Sequence, residues 1–405
     1  MTPERRVDVL VVGAGPAGLA AAARLALGGA GRVEVLEREQ QAGGVPRHCA
    51  HGGFGTWLHP LTGPAYARLL ADAATASGAV VRTGVTALDW AGPRTLTAVG
   101  PGGPETITAG AVVLATGARE RPRSARLVPG TRPAGVHTTG ELQQAVHLFR
   151  QRIGSRAVVI GAEDVSYAAA DTVRAAGADV VAMVTELPRA QTAPARALDA
   201  RLRRGIPLLT DTTVTEVLGQ GRLSGVRVRH RDGRTAVLSC DTVVFTGDFV
   251  PDHELARRGG VPLDPGTRGP AVDGALRTAH PGVFAVGSVL HAVESAGTAA
   301  REGAHVAVAV RAWLAGEVWS EGVPLVVDPP LRWIAPNRVT PTDQLPYVLR
   351  AQVPLTHPVL HVFQDGRLLH RARQGMVLPN RPLPLTARWT HRIDPKGGPV
   401  RVRVL

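Results

Sequence analysis

The sequence is short of thiols, lysine, aromatic rings and long apolar runs, and each shortage removes a class of function. Of 405 residues only two are cysteines, Cys49 and Cys240, far apart along the chain. With no CxxC or CxxxxC pair, a local redox disulfide is excluded. A cysteine-ligated iron–sulfur cluster needs about four thiolates and is excluded too; no metal site is expected. No apolar run approaches the roughly 20 residues of a membrane-spanning helix. The opening MTPERRVDVL runs directly into an apolar strand and leaves no room for a secretory leader, so a cytoplasmic location is expected.

Lysine is almost missing. The net charge is +13, yet Lys396 is the only lysine, so the basic charge is nearly all arginine. The arginines are scattered, with Arg201, Arg203 and Arg204 the nearest thing to a cluster. Aromatic residues make up 4%, too few for stacking platforms along a single strand. A nucleic-acid partner is therefore not expected, whereas a basic surface suits anionic substrates or an acidic partner.

What is present is a chain long and apolar enough, at 44% hydrophobic residues, for two or three domains. Residues 7–37 read strand, glycine turn, helix, strand. Val7, Val9, Leu10, Val11 and Val12 form the apolar run of a strand buried on both faces. Gly13, Gly15 and Gly18 then fall in the GxGxxG spacing: the first allows the tight turn, the second lets backbone approach a pyrophosphate, and the third lets the helix pack on the strand. Pro16 and Ala17 open the helix whose N–H groups face the phosphates. Glu37, about 20 residues on, ends the second strand where a carboxylate reaches a ribose hydroxyl; Arg38 follows it. The whole unit in register, rather than the glycines alone, predicts a dinucleotide site.

Beyond it, residues 43–55 interleave glycines with Arg47, His48, Cys49 and His51. Gly44 allows close backbone approach, and the titratable groups suit a loop beside a reactive ring. Residues 64–77 predict an amphipathic helix, and backbone near Val85 would meet an adenine. The buried strand at 111–114 runs into Ala115-Thr116-Gly117, a second cofactor contact. That motif, so placed after the N-terminal fingerprint, favours FAD over NAD.

Here the chain resembles the flavoprotein disulfide reductase fold. More narrowly, residues 117–122 (GARERP), 129–136 (PGTRPAGV) and 44–49 (GVPRHC) resemble the flavin-containing subunits of hydrogen cyanide synthase, opine oxidases and related amino-acid or amine dehydrogenases. The resemblance covers about residues 7–313. It implies an α/β fold of two interleaved Rossmann-like domains: an FAD domain from 1–120 and 248–320, and an inserted NAD(P)-binding-like domain at 121–247. In that fold the strand before Gly287 ends in Gly-Asp and binds the cofactor chain; Ser288 stands in place of the acid. Residues 292–310 then predict one small-residue helix, Thr298 included, whose start faces the flavin and favours negative charge there.

The second unit begins at Ala157 and repeats the layout, but its fingerprint is damaged. Gly161 is present, Glu163 replaces the second glycine and Ser166 the third. A carboxylate where a pyrophosphate should approach is repulsive and bulky, which argues against NAD(P), although Glu186 at the second strand's end suits a ribose. Residues 321–405 turn proline-rich and alternating, which predicts a small all-β C-terminal domain. The relatives often carry a cysteine-rich cluster region there, and this chain has none.

The expected function is an FAD-dependent dehydrogenase or oxidase taking a hydride from a small amine, amino acid or hydroxy acid, with a partner subunit or acceptor protein receiving electrons. Arg47 would hold a substrate carboxylate, and His48 or His51 would accept a proton. Two alternatives stand beside it: an NAD(P)H-dependent reductase using Cys49, and a non-catalytic FAD-binding subunit.

Overall fold

The computed structural model describes residues 3–56 and 58–405; Met1 and Thr2, where the expected absence of a leader begins, lie outside them, as does Trp57. The chain forms two compact units. One comprises Met1–Arg47, Phe54–Arg119 and Val250–Leu405, the other His48–Gly53 and Glu120–Phe249.

The first unit is built on a seven-stranded sheet. Its parallel part runs Val80–Thr83, Val33–Glu37, Glu4–Val12, Gly103–Leu114, and Val283–Ala285 also pairs with Gly103–Leu114. Thr95–Gly100 and Thr86–Gly92 extend it antiparallel. Val9, Leu10 and Val11 are wholly buried, as expected for a strand covered on both faces. Strand 103–114 is a single twelve-residue element, of which the buried strand expected at 111–114 is the last part. Its two ends pair with different partners, one with the hairpin and the other with Val283–Ala285.

Register matters more here than strand count. Val12 is level with both Leu36 and Leu114, and Leu114 with Ala285. The carboxyl ends of four parallel strands therefore form one row. In open α/β sheets ligands bind outside such a row.

Of the helices that pack on this sheet, two stand at the row of strand ends. Pro16–Leu27 starts on Gly15 with proline in its first turn and carries no acidic residue there. Ala296–Leu314 is capped by Ser295, whose Oγ accepts the Thr298 N–H at 3.2 Å. The helix expected over 292–310 is present as one element but shifted to Ala296–Leu314: a separate short helix, Ser288–His291, ends at Ala292 in the left-handed region (φ 66°), and the long helix begins only after Ser295. Residues 323–404 add a five-stranded and a three-stranded sheet around their own apolar cluster, which includes Tyr347 and Trp389. One of their hairpins turns at Asp365-Gly366, both at positive φ, as a two-residue turn of the primed kind requires.

The second unit has a five-stranded parallel sheet, ordered Val136–Thr138, Thr242–Phe245, Arg156–Ile160, Asp179–Val184, Leu208–Leu209. A three-stranded antiparallel sheet joins it, with its Arg222–His230 and Thr235–Ser239 strands meeting around Asp232-Gly233. Among the described residues no helix is long and apolar enough to cross a membrane, which says nothing of a β-barrel.

Candidate functional site

The row of strand ends in the first unit carries the predicted cofactor segments. Gly13 follows Val12 at φ 108°, and a Cβ there would stand 2.3 Å from the Ala115 carbonyl oxygen. A Cβ on Gly18 would stand 1.9 Å from the Gly13 carbonyl oxygen. These two glycines are demanded by the protein's own packing. Gly15 is different: a Cβ there meets nothing within 4 Å. The open space lies at the N-terminus of a helix with no acid in its first turn, the condition an anionic group requires. Pro16 and Ala17 form that first turn.

Glu37 is buried at the end of its strand. One carboxylate oxygen accepts the Ala14 N–H and the other the Glu39 N–H, both at 2.9 Å. The acid so braces the glycine turn while each oxygen keeps a further lone pair for a hydroxyl. The Glu37 carbonyl accepts the Val85 N–H at 2.9 Å, and the Val85 side chain is buried in the core. Arg38 lies 3.7 Å from Asp252 and is mostly exposed. Gly44, at φ 62°, crosses the turn so closely that a Cβ would stand 2.9 Å from the Gly15 Cα.

The other strand ends complete the row. Ala115 donates its N–H to Val12; Thr116 Oγ1 donates to the Asp252 carbonyl at 2.7 Å; Gly117 is left-handed, with room for a Cβ. Gly287 lies at φ 76°, and a Cβ there would meet the Ala17 methyl at 2.6 Å. Ser288 opens the short helix, and Thr298 lies in the first turn of the long one. The residues fit a dinucleotide: an open cradle at Gly15, a helix start free of acids and a braced ribose-side carboxylate.

Arg47 is already engaged. Its guanidinium donates to the Glu39 carboxylate and to Gln41 Oε1, the latter at 3.2 Å. A substrate carboxylate would have to displace Glu39. The following segment, His48–Gly53, belongs to the second unit. There His48 and Cys49 are buried, and the Cys49 thiol donates to Gln143 Oε1 at 3.3 Å. Burial, reinforced by the charge of Glu120, pushes this thiol up to about 12. A thiol is nucleophilic as its thiolate, so this environment opposes redox chemistry at Cys49. His51 Nδ1 lies 2.7 Å from the Gly52 carbonyl oxygen.

Sequence reasoning missed Glu120. Burial pushes its carboxyl up to about 7, although the Gly140 N–H at 2.9 Å opposes the shift. It also missed Gln143, which lies 94 positions from the cysteine it meets. Glu120 stands in the 117–122 stretch and Gln143 in no motif, but what each touches is set by the insert's packing rather than by its neighbours in sequence.

The second fingerprint is filled by its own side chains. Glu163 caps helix Asp164–Ala175, and its Oε2 accepts the Ala162 N–H at 3.1 Å and the Ser166 hydroxyl at 2.8 Å. Ser166 in turn meets Thr246 Oγ1 at 2.6 Å. Asp164 adds a carboxylate in the first turn, held by Thr192. Glu186 is exposed two residues beyond its strand. Among the described residues no group of three or more histidine, cysteine or acidic side chains is placed to hold a metal.

Fold and cradle together define a dinucleotide-binding flavoprotein. The profile of the pyridine nucleotide-disulphide oxidoreductase family matches residues 7–303, and the chain belongs to that family. It is accordingly an oxidoreductase with FAD as its cofactor. The chain is 30% identical over 275 residues to the alpha subunit of sarcosine oxidase from Rhizobium meliloti (strain 1021), a stretch covering 63% of this chain and 26% of that one. It is 28% identical over 331 residues to an opine oxidase subunit of Agrobacterium tumefaciens (strain Ach5), covering 74% and 63%. The crystal structure of T. acidophilum thioredoxin reductase superposes with a TM-score of 0.65 at 26% identity, over 76% of this chain and 98% of that one. The chain thus spans about a quarter of the sarcosine oxidase polypeptide it matches.

Proposed function

We propose that the chain is an FAD-dependent dehydrogenase or oxidase for a small amine, amino acid or hydroxy acid, and that it hands electrons to a separate acceptor or partner subunit. The observation that carries this reading is the contrast between its two helix starts. The one at Gly15 is open and free of acids, whereas the one at Gly161 is closed by Glu163 and carries Asp164 beside it. One site takes a dinucleotide and the other repels one, so the electrons come from something other than NAD(P)H. The likeness to polypeptides of a sarcosine oxidase and an opine oxidase supports an amine or amino-acid substrate.

In this reading the first unit holds a discontinuous FAD domain, residues 121–247 form an inserted domain of NAD(P)-binding type that has lost its ligand, and residues 321–405 form an all-β appendage. Gly13, Gly15, Gly18, Glu37, Arg38, Gly44, Ala115, Thr116, Gly117, Gly287, Ser288 and Thr298 hold FAD, with backbone at Val85 near the adenine. When bound, FAD supplies the two-electron acceptor. Arg47 orients a substrate carboxylate on exchanging Glu39 for it, and His48 or His51 accepts the proton released from nitrogen or oxygen. A second reading, an FAD-binding subunit inactive without another chain, is favoured by the match to only part of a larger polypeptide.

Anaerobic mixing of the yellow protein with sarcosine, opines, simple amino acids, NADH and NADPH tests the proposal. Bleaching by an amine or amino acid is expected. Fast, saturable bleaching by NADH or NADPH would overturn it.

A further inference from the structure

Beneath the Gly287 turn lies a buried polar cluster with no part in the function proposed so far. Glu302, on the long helix Ala296–Leu314, sends one carboxylate oxygen to the Gly287 N–H at 2.9 Å and the other to His291 Nε2 at 2.8 Å. Both side chains are buried, His291 to 3% exposure and Glu302 to 7%. The His291 ring stacks on Trp333, with centroids 6.4 Å apart and planes 10° from parallel. Over the same indole lies the guanidinium of Arg350, 5.1 Å from the ring centroid, and it pairs with the buried carboxylate of Glu294. Trp333 and Arg350 belong to strands Leu331–Ala335 and Tyr347–Ala351 of the C-terminal segment.

Four charged or titratable groups removed from water are costly unless each has a partner. Burial alone would lower the His291 pKa, but the Glu302 carboxylate, through charge and hydrogen bond, and then Glu294 raise it above the ordinary value. Glu302 is thus matched at both oxygens, by the Gly287 N–H and by His291 Nε2, while His291 Nδ1 is buried without a hydrogen-bond partner. That glycine is held from two sides, by Glu302 and by the Ala17 methyl on which its own Cα closes. The next residue of the long helix, Gly303, presses on the Ala17 carbonyl, where a Cβ would stand 1.9 Å away. A single helical step therefore fixes both the Gly287 turn and the first turn of the cradle helix.

We propose that Glu302 is a positioning residue for FAD: it sets the Gly287–Ser288 turn against the cradle helix, and the C-terminal strands, through Trp333 and Arg350, wall the Glu302–His291 pair off from water. The proposal gives the C-terminal segment a task in cofactor binding, and it rests on the assignment of FAD to this cradle.

The test is FAD affinity, measured by flavin fluorescence quenching on apoprotein, for Glu302→Leu, Glu302→Gln and Trp333→Leu, with thermal unfolding of each apoprotein alongside. Glu302→Leu removes the acceptor for Gly287 and should weaken FAD about tenfold or more, the worth of one hydrogen bond to a charged group. Glu302→Gln keeps an acceptor oxygen of the same reach and should restore affinity to within about threefold, a rescue that a purely structural role, equally served by leucine, would not show. Trp333→Leu opens the pair to water and should weaken FAD several-fold. If Glu302→Leu fails to fold, the glutamine and Trp333 variants decide: wild-type affinity in Trp333→Leu overturns the role of the strands, and a Glu302→Gln protein weakened about tenfold overturns that of the acceptor. Leucine and glutamine variants both matching wild type overturn the whole proposal. A wild-type protein that takes up no FAD overturns the cofactor assignment first and this inference with it.

Discussion

Gly303 of the long helix rests on Ala17 of the cradle helix with no room for a methyl group between them: a Cβ would lie 1.9 Å from the Ala17 carbonyl oxygen and 3.0 Å from its Cα. The long helix can approach the backbone of the cradle helix this closely because it contributes a glycine there. That approach brings Glu302 under Gly287 and so shapes one side of the cofactor cradle.

Gly303→Ala should therefore destabilise the protein by about 1–3 kcal/mol, the ordinary cost of overpacking, and release FAD as the helices part. Gly297→Ala on the same helix is the control, since a Cβ there meets only the far end of Arg301 and the Ser295 hydroxyl at 3.8 Å. Thermal unfolding of the two variants compares them; equal melting temperatures would contradict the close contact.

The fingerprint glycines should divide into two kinds. A side chain at Gly13 or Gly18 strikes backbone, whereas at Gly15 it enters open space. Gly15→Val should fold, with the circular dichroism of wild type, and emerge colourless. Gly18→Val should accumulate as insoluble protein. A yellow Gly15→Val protein with a full complement of FAD would show that the cradle lies elsewhere.

Glu163 should act as the plug of the second fingerprint. Like charges a few Å apart cost about 1–4 kcal/mol at water-like to surface dielectrics, so Glu163→Gly should bind NADH or NADPH at least about tenfold tighter than wild type. Quenching of nicotinamide fluorescence measures it. Unchanged affinity would mean that the Ser166–Thr246 contact, rather than the carboxylate, closes the site.

Local motifs made the cradle legible. The alternation of strand, Gly13-x-Gly15-x-x-Gly18, helix and Glu37 is carried by neighbours in sequence, and the structure places all of it at one row of strand ends. The damaged second fingerprint was readable for the same reason, since Glu163 and Ser166 occupy fixed positions in the repeat. What stayed hidden depends on distant partners. Ala292 reads as one alanine among many, yet its left-handed backbone ends a separate short helix and moves the start of the one expected at 292–310 to Ala296. Glu302 reads as a surface acid on a helix, yet it is buried and paired with His291, whose ring stacks in turn on Trp333. Cys49 reads as a free thiol beside histidines, and what raises its pKa is first its burial and then the charge of Glu120, far along the chain.

Both cysteines should be unreactive in the native protein. Burial comes first for each, and it lifts Cys49 to about 12 and Cys240 to about 11. At pH 8 the Cys49 thiolate would be about one part in ten thousand. A disulfide reagent should titrate almost no thiol in native protein and two after denaturation. Cys49→Ser should keep substrate-driven bleaching of the flavin within about twofold, since a side chain in this environment has no thiolate to contribute. Loss of turnover in that variant would restore the single-thiol reductase.

Glu120 should make stability depend on pH near neutrality, in the sense opposite to a salt-bridged acid. Its carboxyl is raised to about 7 in the folded protein, chiefly by burial, against about 4.3 for an unperturbed glutamate. Between those values the folded state holds more protons than the unfolded one, so stability falls as pH rises. The contribution is neutral below about pH 4 and is fully unfavourable above about pH 7, where it reaches on the order of 2 kcal/mol after allowance for partial exposure. Glu120→Gln keeps an oxygen to accept the Gly140 N–H and cannot ionise. It should stabilise the protein relative to wild type at pH 8, and by much less at pH 5, in denaturant titrations run at both values. The same difference from wild type at the two pH values would mean that Glu120 titrates as an ordinary surface acid.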